Sequence, residues 1–273
     1  MITFANERRF VYGVDFSGAK DAGKRIWVAR GAVTDDVLMI TESFQAQDLP
    51  GSERDRERSL TALREFIRKQ GDGIFGLDFP FGLPRALVKE ESWEKFALCF
   101  GGTYKGPSDL RMECKLGSGG RELKRCTDVE QETPFSPYNL RLYRQTYYGI
   151  RDVLAPLVKS NMVCVLPMQR PLSGGAWVVE ICPSSTLKRE HLSLPYKGRD
   201  EKHRAARARI LEGIQKRGLL IIEEVSLGSK ILDDPGGDAI DSVIAAFATF
   251  RALRNGFSFC NKAPYTVEGW VYA

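Results

Sequence analysis

Residues 10–44 read FVYGVDFSGAKDAGKRIWVARGAVTDDVLMITESF. Three runs rich in β-branched and aromatic residues stand in it: FVYGVDF at 10–16, RIWVARGAV at 25–33 and VLMITESF at 37–44. Each has the length of a strand, and short turn-forming segments separate them, which predicts an antiparallel meander. The period then changes. Over residues 54–69, Leu60, Leu63, Phe66 and Ile67 recur at three and four with charges between them, as on an amphipathic helix. IFGLDF at 74–79 follows, apolar nearly throughout as a central buried strand is, and Pro80 and Pro84 end it. The order is β-β-β-α-β.

Residues 84–160 are helical in tendency and basic, with a loose Gly/Ser stretch at 117–120. Their second half interleaves Tyr138, Tyr143, Tyr147 and Tyr148 with Arg141, Arg144 and Arg151. Such a face could stack bases and contact phosphates, or it could simply pack. Strand character returns at 163–166 and 176–181 (AWVVEI), followed by a basic helix at 199–217 and an apolar run at 219–225. Residues 238–253 form the clearest helix, apolar at Ile240, Val243, Ile244, Phe247, Ala248 and Phe250. No internal repeat and no linker divides the chain. The expectation is one α/β domain over residues 1–273, enlarged by a mainly helical insertion at about 84–160.

With 273 residues, 43% hydrophobic and 27% charged, the composition is that of an ordinary globular protein, which sets aside disordered and fibrous classes. No stretch approaches the ~20 apolar residues that span a bilayer, and charge near the start stands where a signal peptide needs an apolar core. An intracellular, cytoplasmic protein is expected. The formal net charge of +5 permits a polyanionic partner, and residues 197–217, with eight bases and three acids, carry an excess equal to that of the whole chain. A solvated helix face is the plainer account of that run. Six cysteines, at 99, 114, 126, 164, 182 and 260, form no C-x-x-C pair and are expected to be small buried hydrophobes in a reducing compartment. Only His191 and His203 exist, and no G-x-S-x-G turn supports a nucleophilic triad.

Acidic residues at the ends of apolar strands are the unusual feature, since a charge there is costly unless paired. Asp15 closes the first strand, Asp78 the fourth, Glu180 sits in Val-Val-Glu-Ile, and Asp238 and Asp241 share one face at the start of the last helix. Each has an innocent reading: Asp15 could hold a turn, and Asp238 and Asp241 could cap their helix. Together they offer the hard oxygen donors that Mg²⁺ or Mn²⁺ prefers. Residues 18–24 also satisfy G-x-x-x-x-G-K, but Arg25 stands where Ser or Thr must bind Mg²⁺, and Ile-Trp-Val-Ala makes a strand where that motif requires a helix. A phosphate-binding loop is rejected.

The segments Gly-Val-Asp15-Phe-Ser-Gly-Ala, Gly-Leu-Asp78-Phe-Pro-Phe-Gly-Leu-Pro, Val-Val-Glu180-Ile-Cys-Pro and Gly-Asp238-Ala-Ile-Asp241-Ser-Val-Ile-Ala-Ala occur in this order. In that order they resemble the predicted RNase H-like nucleases called domain of unknown function 429. Tyr-Lys197-Gly, Arg204 and the closing Val-Glu268-Gly-Trp-Val extend the resemblance over nearly the whole chain, and Asp-Ala-Ile-Asp is also similar to the helix motif of Holliday-junction resolvases. Two departures stand out: Asp233 and Asp234 lie upstream of Gly237-Asp238, and Ser242 follows Asp241 where Ala is common. The resemblance implies an RNase H-like mixed five-stranded sheet in order 3-2-1-4-5, flanked by helices. It also implies a nuclease acting on DNA or RNA with two Mg²⁺ or Mn²⁺ ions held by Asp15, Asp78, Asp241 and Glu180 or Asp238, with Lys197 and Arg204 toward substrate phosphate. The competing readings are a nucleic-acid-binding or regulatory protein of the same fold without turnover and, further off, an actin-like phosphotransferase. A homodimer is left open.

Overall fold

The computed structural model describes residue 8, residues 10–259 and residues 264–273; Cys260 and most of the charged start lie outside them. Eight strands among the described residues form one mixed sheet: β1 (Phe10–Asp15), β2 (Trp27–Thr34), β3 (Val37–Gln45), β4 (Gly73–Leu77), β5 (Val163–Leu166), β6 (Ala176–Ile181), β7 (Leu220–Ile222) and β8 (Val271–Tyr272). The order is β5-β6-β4-β1-β2-β3-β7, with β8 also on β6. The order 3-2-1-4-5 is present with β6 in fifth place, within a sheet of eight strands rather than the expected five. The additions are short strands of four, three and two residues; the first was expected at 163–166, and the other two are too brief for a periodicity to register.

β1, β2 and β3 pair antiparallel as a meander, while β4 joins β1 in parallel after the crossover helix α1 (Arg56–Lys69). Asp55 caps α1 by accepting the Arg58 N–H, and Leu60, Leu63 and Ile67 turn inward. The sheet separates two apolar layers. On one face Tyr12, Val14, Phe75 and Leu77 meet α1 and the helices that follow β4, through Phe96, Phe100, Tyr138 and Tyr147. On the other, Val11, Ala29 and Ile74 meet α2 (Glu201–Gln215) and α3 (Asp238–Arg254).

The seating of α3 follows from two glycines. Gly13 and Gly76 stand side by side in the β1–β4 register. A Cβ on Gly13 would lie 2.0 Å from the Ser242 carbonyl oxygen, and one on Gly76 would lie 1.9 Å from Thr249 Oγ1. The helix backbone therefore rests almost directly on the sheet, a close approach that only glycine allows. Small residues at Ala245, Ala246 and Ala248 complete the contact, all of them buried.

Between β4 and β5 the chain is helical over Trp93–Thr103, Pro107–Gly117, Cys126–Glu130, Tyr143–Tyr148, Gly149–Leu154 and Ala155–Ser160. Tyr138 and Tyr147 are fully buried there, so half of the interleaved tyrosines pack inward. The five described cysteines are free: Cys114 and Cys164 are buried as expected, Cys182 is half-buried, and Cys99 and Cys126 face solvent. The apolar run at 219–225 divides into β7 and the start of a further helix, Val225–Asp233. No helix among the described residues is long and apolar enough to cross a membrane.

Candidate active site

β1 and β4 deliver two of the acids. Asp15 is the last residue of β1, and the Asp78 N–H donates to the Val14 carbonyl at 3.0 Å, carrying the parallel pairing one residue past β4. Strand alternation puts Asp15 on the side of Val11 and Gly13, and Asp78 on that of Ile74 and Gly76, the face that α3 covers. Asp241, in the first turn of α3, is only 3% exposed, and the close seating on Gly13 brings it to the same place. Asp15, Asp78 and Asp241 line one cavity of about 410 Å³ together with Glu180, Tyr196 and Lys197.

These carboxylates raise one another. Burial, then Asp241, Asp238 and Asp78, push Asp15 well above the ordinary carboxylate range. Burial, with Asp241 next among the raising groups, pushes Asp78 up to about 8. Burial also raises Asp241, against the opposing pull of Lys197 and of the Tyr196 hydroxyl. No hydrogen bond or ion pair reaches the Asp15 or Asp78 carboxylate among the described residues. Asp241 is better provided: Tyr196 Oη donates to its Oδ1 at 2.6 Å, and Lys197 Nζ lies 2.7 Å from its Oδ2. Burial works against the Lys197 ammonium, yet Asp241 and Asp15 hold it above its ordinary range.

Tyr196 and Lys197 are placed by an arginine that surface charge alone would not single out. Arg207, on α2, is 2% exposed and donates to the carbonyls of Leu232 at 2.7 Å, Tyr196 at 2.6 Å and Gly198 at 3.1 Å. One residue of the basic helix thus brackets the 196–198 loop from inside. Arg204 goes elsewhere: its Nε pairs with Asp233 Oδ1 at 2.8 Å on the surface, and it is not part of the cavity wall.

Glu180 lines the cavity from the opposite face. It stands across from Leu77 in the β4–β6 register, on the side that the insertion covers. Arg125 Nη1 meets its Oε2 at 2.8 Å, Arg125 Nη2 takes Oε1, and the Phe81 N–H donates to Oε2 at 2.9 Å. Arg125, 1% exposed, also pairs with Asp128 and donates to the Glu268 carbonyl at 3.0 Å. Glu180 is therefore occupied by a buried guanidinium that ties the insertion to the sheet.

Asp238 is half-buried, 3.9 Å from Lys197 Nζ, and burial pushes it up to about 6. It does not cap α3. That role falls to Asp234, whose Oδ2 accepts the N–H groups of Asp238 at 2.7 Å and Ala239 at 3.0 Å.

Among the described residues no group of three or more His, Cys, Asp and Glu side chains converges to enclose a metal ion. The donor chemistry nevertheless suits a hard divalent cation. Asp15 and Asp78 present carboxylate oxygens with no partner, Asp241 adjoins them, and the ammonium of Lys197 supplies the nearest positive charge.

No protein-family model and no curated protein sequence matches the chain. Among solved structures, the crystal structure of the yeast mitochondrial Holliday junction resolvase is similar at a TM-score of 0.40 and 10% identity, over 92% of this chain and 85% of that chain. A likeness at that level carries no correspondence of residues.

Proposed function

We propose that this cavity is the active site of a divalent-metal-dependent nuclease. The observation that carries the reading is the gathering of three buried carboxylates from β1, β4 and α3, each raised in pKa, with one lysine as countercharge. A fold does not keep such repulsion for stability, and perturbed acids in one cleft are the usual mark of chemistry. Asp15, Asp78 and Asp241 would hold Mg²⁺ or Mn²⁺, with Asp238 beside them. The bound cation would supply a hydroxide at neutral pH and stabilise the departing oxygen of a phosphodiester.

The chain's own residues account for the rest. Tyr196 fixes the rotamer of Asp241 and favours its charged form against the burial that raises it. Lys197 balances the carboxylates until substrate arrives and then faces its phosphate, where a fixed cation stabilises developing charge. Glu180, locked by Arg125, shapes the wall and adds negative charge behind Asp78. One observation favours the second reading, a nucleic-acid binder without turnover: Lys197 already neutralises Asp241 with no ion needed.

The deciding experiment incubates labelled single-stranded, duplex and branched DNA and RNA with Mg²⁺ or Mn²⁺, beside Asp15→Asn and Asp78→Asn proteins. A nuclease should show cleavage by the wild type alone. Cleavage persisting in both variants sinks this site, and binding without cleavage by any form supports the binder.

A further inference from the structure

We infer, on the basis of the nuclease reading above, that the substrate enters as a single strand. One nucleotide unit seats in the cavity against Phe135 and Arg141, and the adjoining strand leaves over Arg144 and the segment at residues 17–24. The cavity, about 410 Å³, lies near the lower end of single-ligand sites, which run ~300–1,000 Å³. Asp15 is 8% and Asp241 3% exposed, so a phosphate must come into the cavity to meet them. The insertion forms part of its wall with Phe135, Arg141 and Gln145.

Arg141 and Arg144 are each matched with an aromatic ring and with no carboxylate among the described residues. The Arg141 guanidinium lies 5.4 Å from the Phe135 centroid, and that of Arg144 lies 5.5 Å from the Tyr143 centroid. Cations beside aromatic faces are how single strands are held, since unpaired bases offer their faces to stack and the backbone offers charge. A closed duplex keeps those faces inside.

The segment at 17–24, whose glycine spacing imitates a phosphate-binding motif and which runs into the helical turn Ala22–Arg25, abuts this pair. Gln145 donates to the Phe16 carbonyl, and a Cβ on Gly18 would lie 2.6 Å from the Arg144 carbonyl oxygen. Lys20, Lys24 and Arg54 are exposed on this surface and form no ion pair among the described residues, and the Gly23 N–H donates to the Arg54 carbonyl at 3.1 Å. Of the acids beside them Asp21 pairs with Arg25, Glu53 pairs with Arg58, Asp55 caps α1 and Glu57 lies in its first turn, so Lys20, Lys24 and Arg54 leave an excess of positive charge leading away from the cavity mouth.

Fluorescence anisotropy in EDTA, with short labelled single-stranded DNA and RNA and their duplexes, tests this without requiring turnover. The expected result is single strands bound at least ~10-fold more tightly than duplex, and a loss of ~10-fold or more in the Arg141→Ala/Arg144→Ala protein. Lys20→Ala/Lys24→Ala should flatten the salt dependence by about 0.7 in log–log slope for each phosphate no longer neutralised. Arg209→Ala, on the exposed side of α2, should bind as wild type. All these side chains are exposed, so unchanged melting curves confirm that each variant is folded. Duplex bound equally well, or variants at 141/144 and 20/24 that bind as wild type, overturns the path; if the wild type still cleaves, the nuclease reading survives. Binding to no nucleic acid also overturns the path, and absence of cleavage by the wild type with Mg²⁺ or Mn²⁺ then overturns the nuclease reading as well.

Discussion

Asp78 shows how the site's electrostatics should read out in stability. A carboxyl raised from 3.8 to about 8 holds its proton more tightly in the folded than in the unfolded chain. The stability it contributes is complete below its ordinary value and is lost as pH rises through about 8. Asp78→Asn escapes that loss. In EDTA the variant should melt above the wild type at pH 8.5, with the gap narrowing markedly at pH 5. A difference of 1 kcal/mol moves the melting temperature by ~2–4 °C in a chain approaching this size, so thermal scans at the two pH values resolve it. Superimposed curves at both would mean that neither burial nor the neighbouring carboxylates raise Asp78. Asp15 and Asp78 were legible in the sequence because acids ending apolar strands have few other uses, and Asp241 because it shares a face with Asp238 at the start of an apolar helix. The partners that tune them, Tyr196 and Arg207, were not, because each acts through a contact distant in sequence.

Elements explain why the acids meet and why Glu180 stands apart. Alternation along β6 puts Trp177, Val179 and Ile181 on the α3 face and Val178 on the other, so Glu180 belongs with Val178 and meets Arg125. That parity was readable from AWVVEI; its partner was not, since Arg125 lies in irregular sequence 55 residues away. Arg125→Met should leave Glu180 and Asp128 buried without a cation and cost ~3–5 kcal/mol in denaturant unfolding. Arg204→Ala breaks only a surface pair and should leave both stability and cleavage unchanged. A stable Arg125→Met protein would contradict the role given to that guanidinium. The glycines of β1 and β4 act at the same scale. Gly13→Ala places a methyl group against the α3 backbone, which cannot yield as a side chain can, and should cost ~1–3 kcal/mol or more while displacing Asp241. Wild-type melting and activity in that variant would show that the helix has room to move.

Across the whole molecule, net charge proved a poor guide and local charge a good one. Of the bases in the window at 197–217, Arg207 is internal, and Lys202, Arg204 and Arg217 pair with Asp200, Asp233 and Glu190. Lys197 alone among its bases reaches the cavity wall. The element order β-β-β-α-β was legible because long strands and one amphipathic helix carry it, while the pairing order 3-2-1-4-5 came from the family resemblance. Of the short strands, β5 was legible at 163–166 from its apolar, β-branched run, whereas β7 was read only as part of an apolar run and β8 was not read, because tertiary pairing rather than local pattern makes them. Whether Asp15, Asp78 and Asp241 together form one cation-holding centre is decided by soaking crystals of the protein with Mn²⁺ and recording an anomalous difference map. The expected map has a peak in direct contact with all three carboxylates, with Lys197 displaced from Asp241. A map with no peak there, and Lys197 still paired to Asp241, would contradict a shared cation centre.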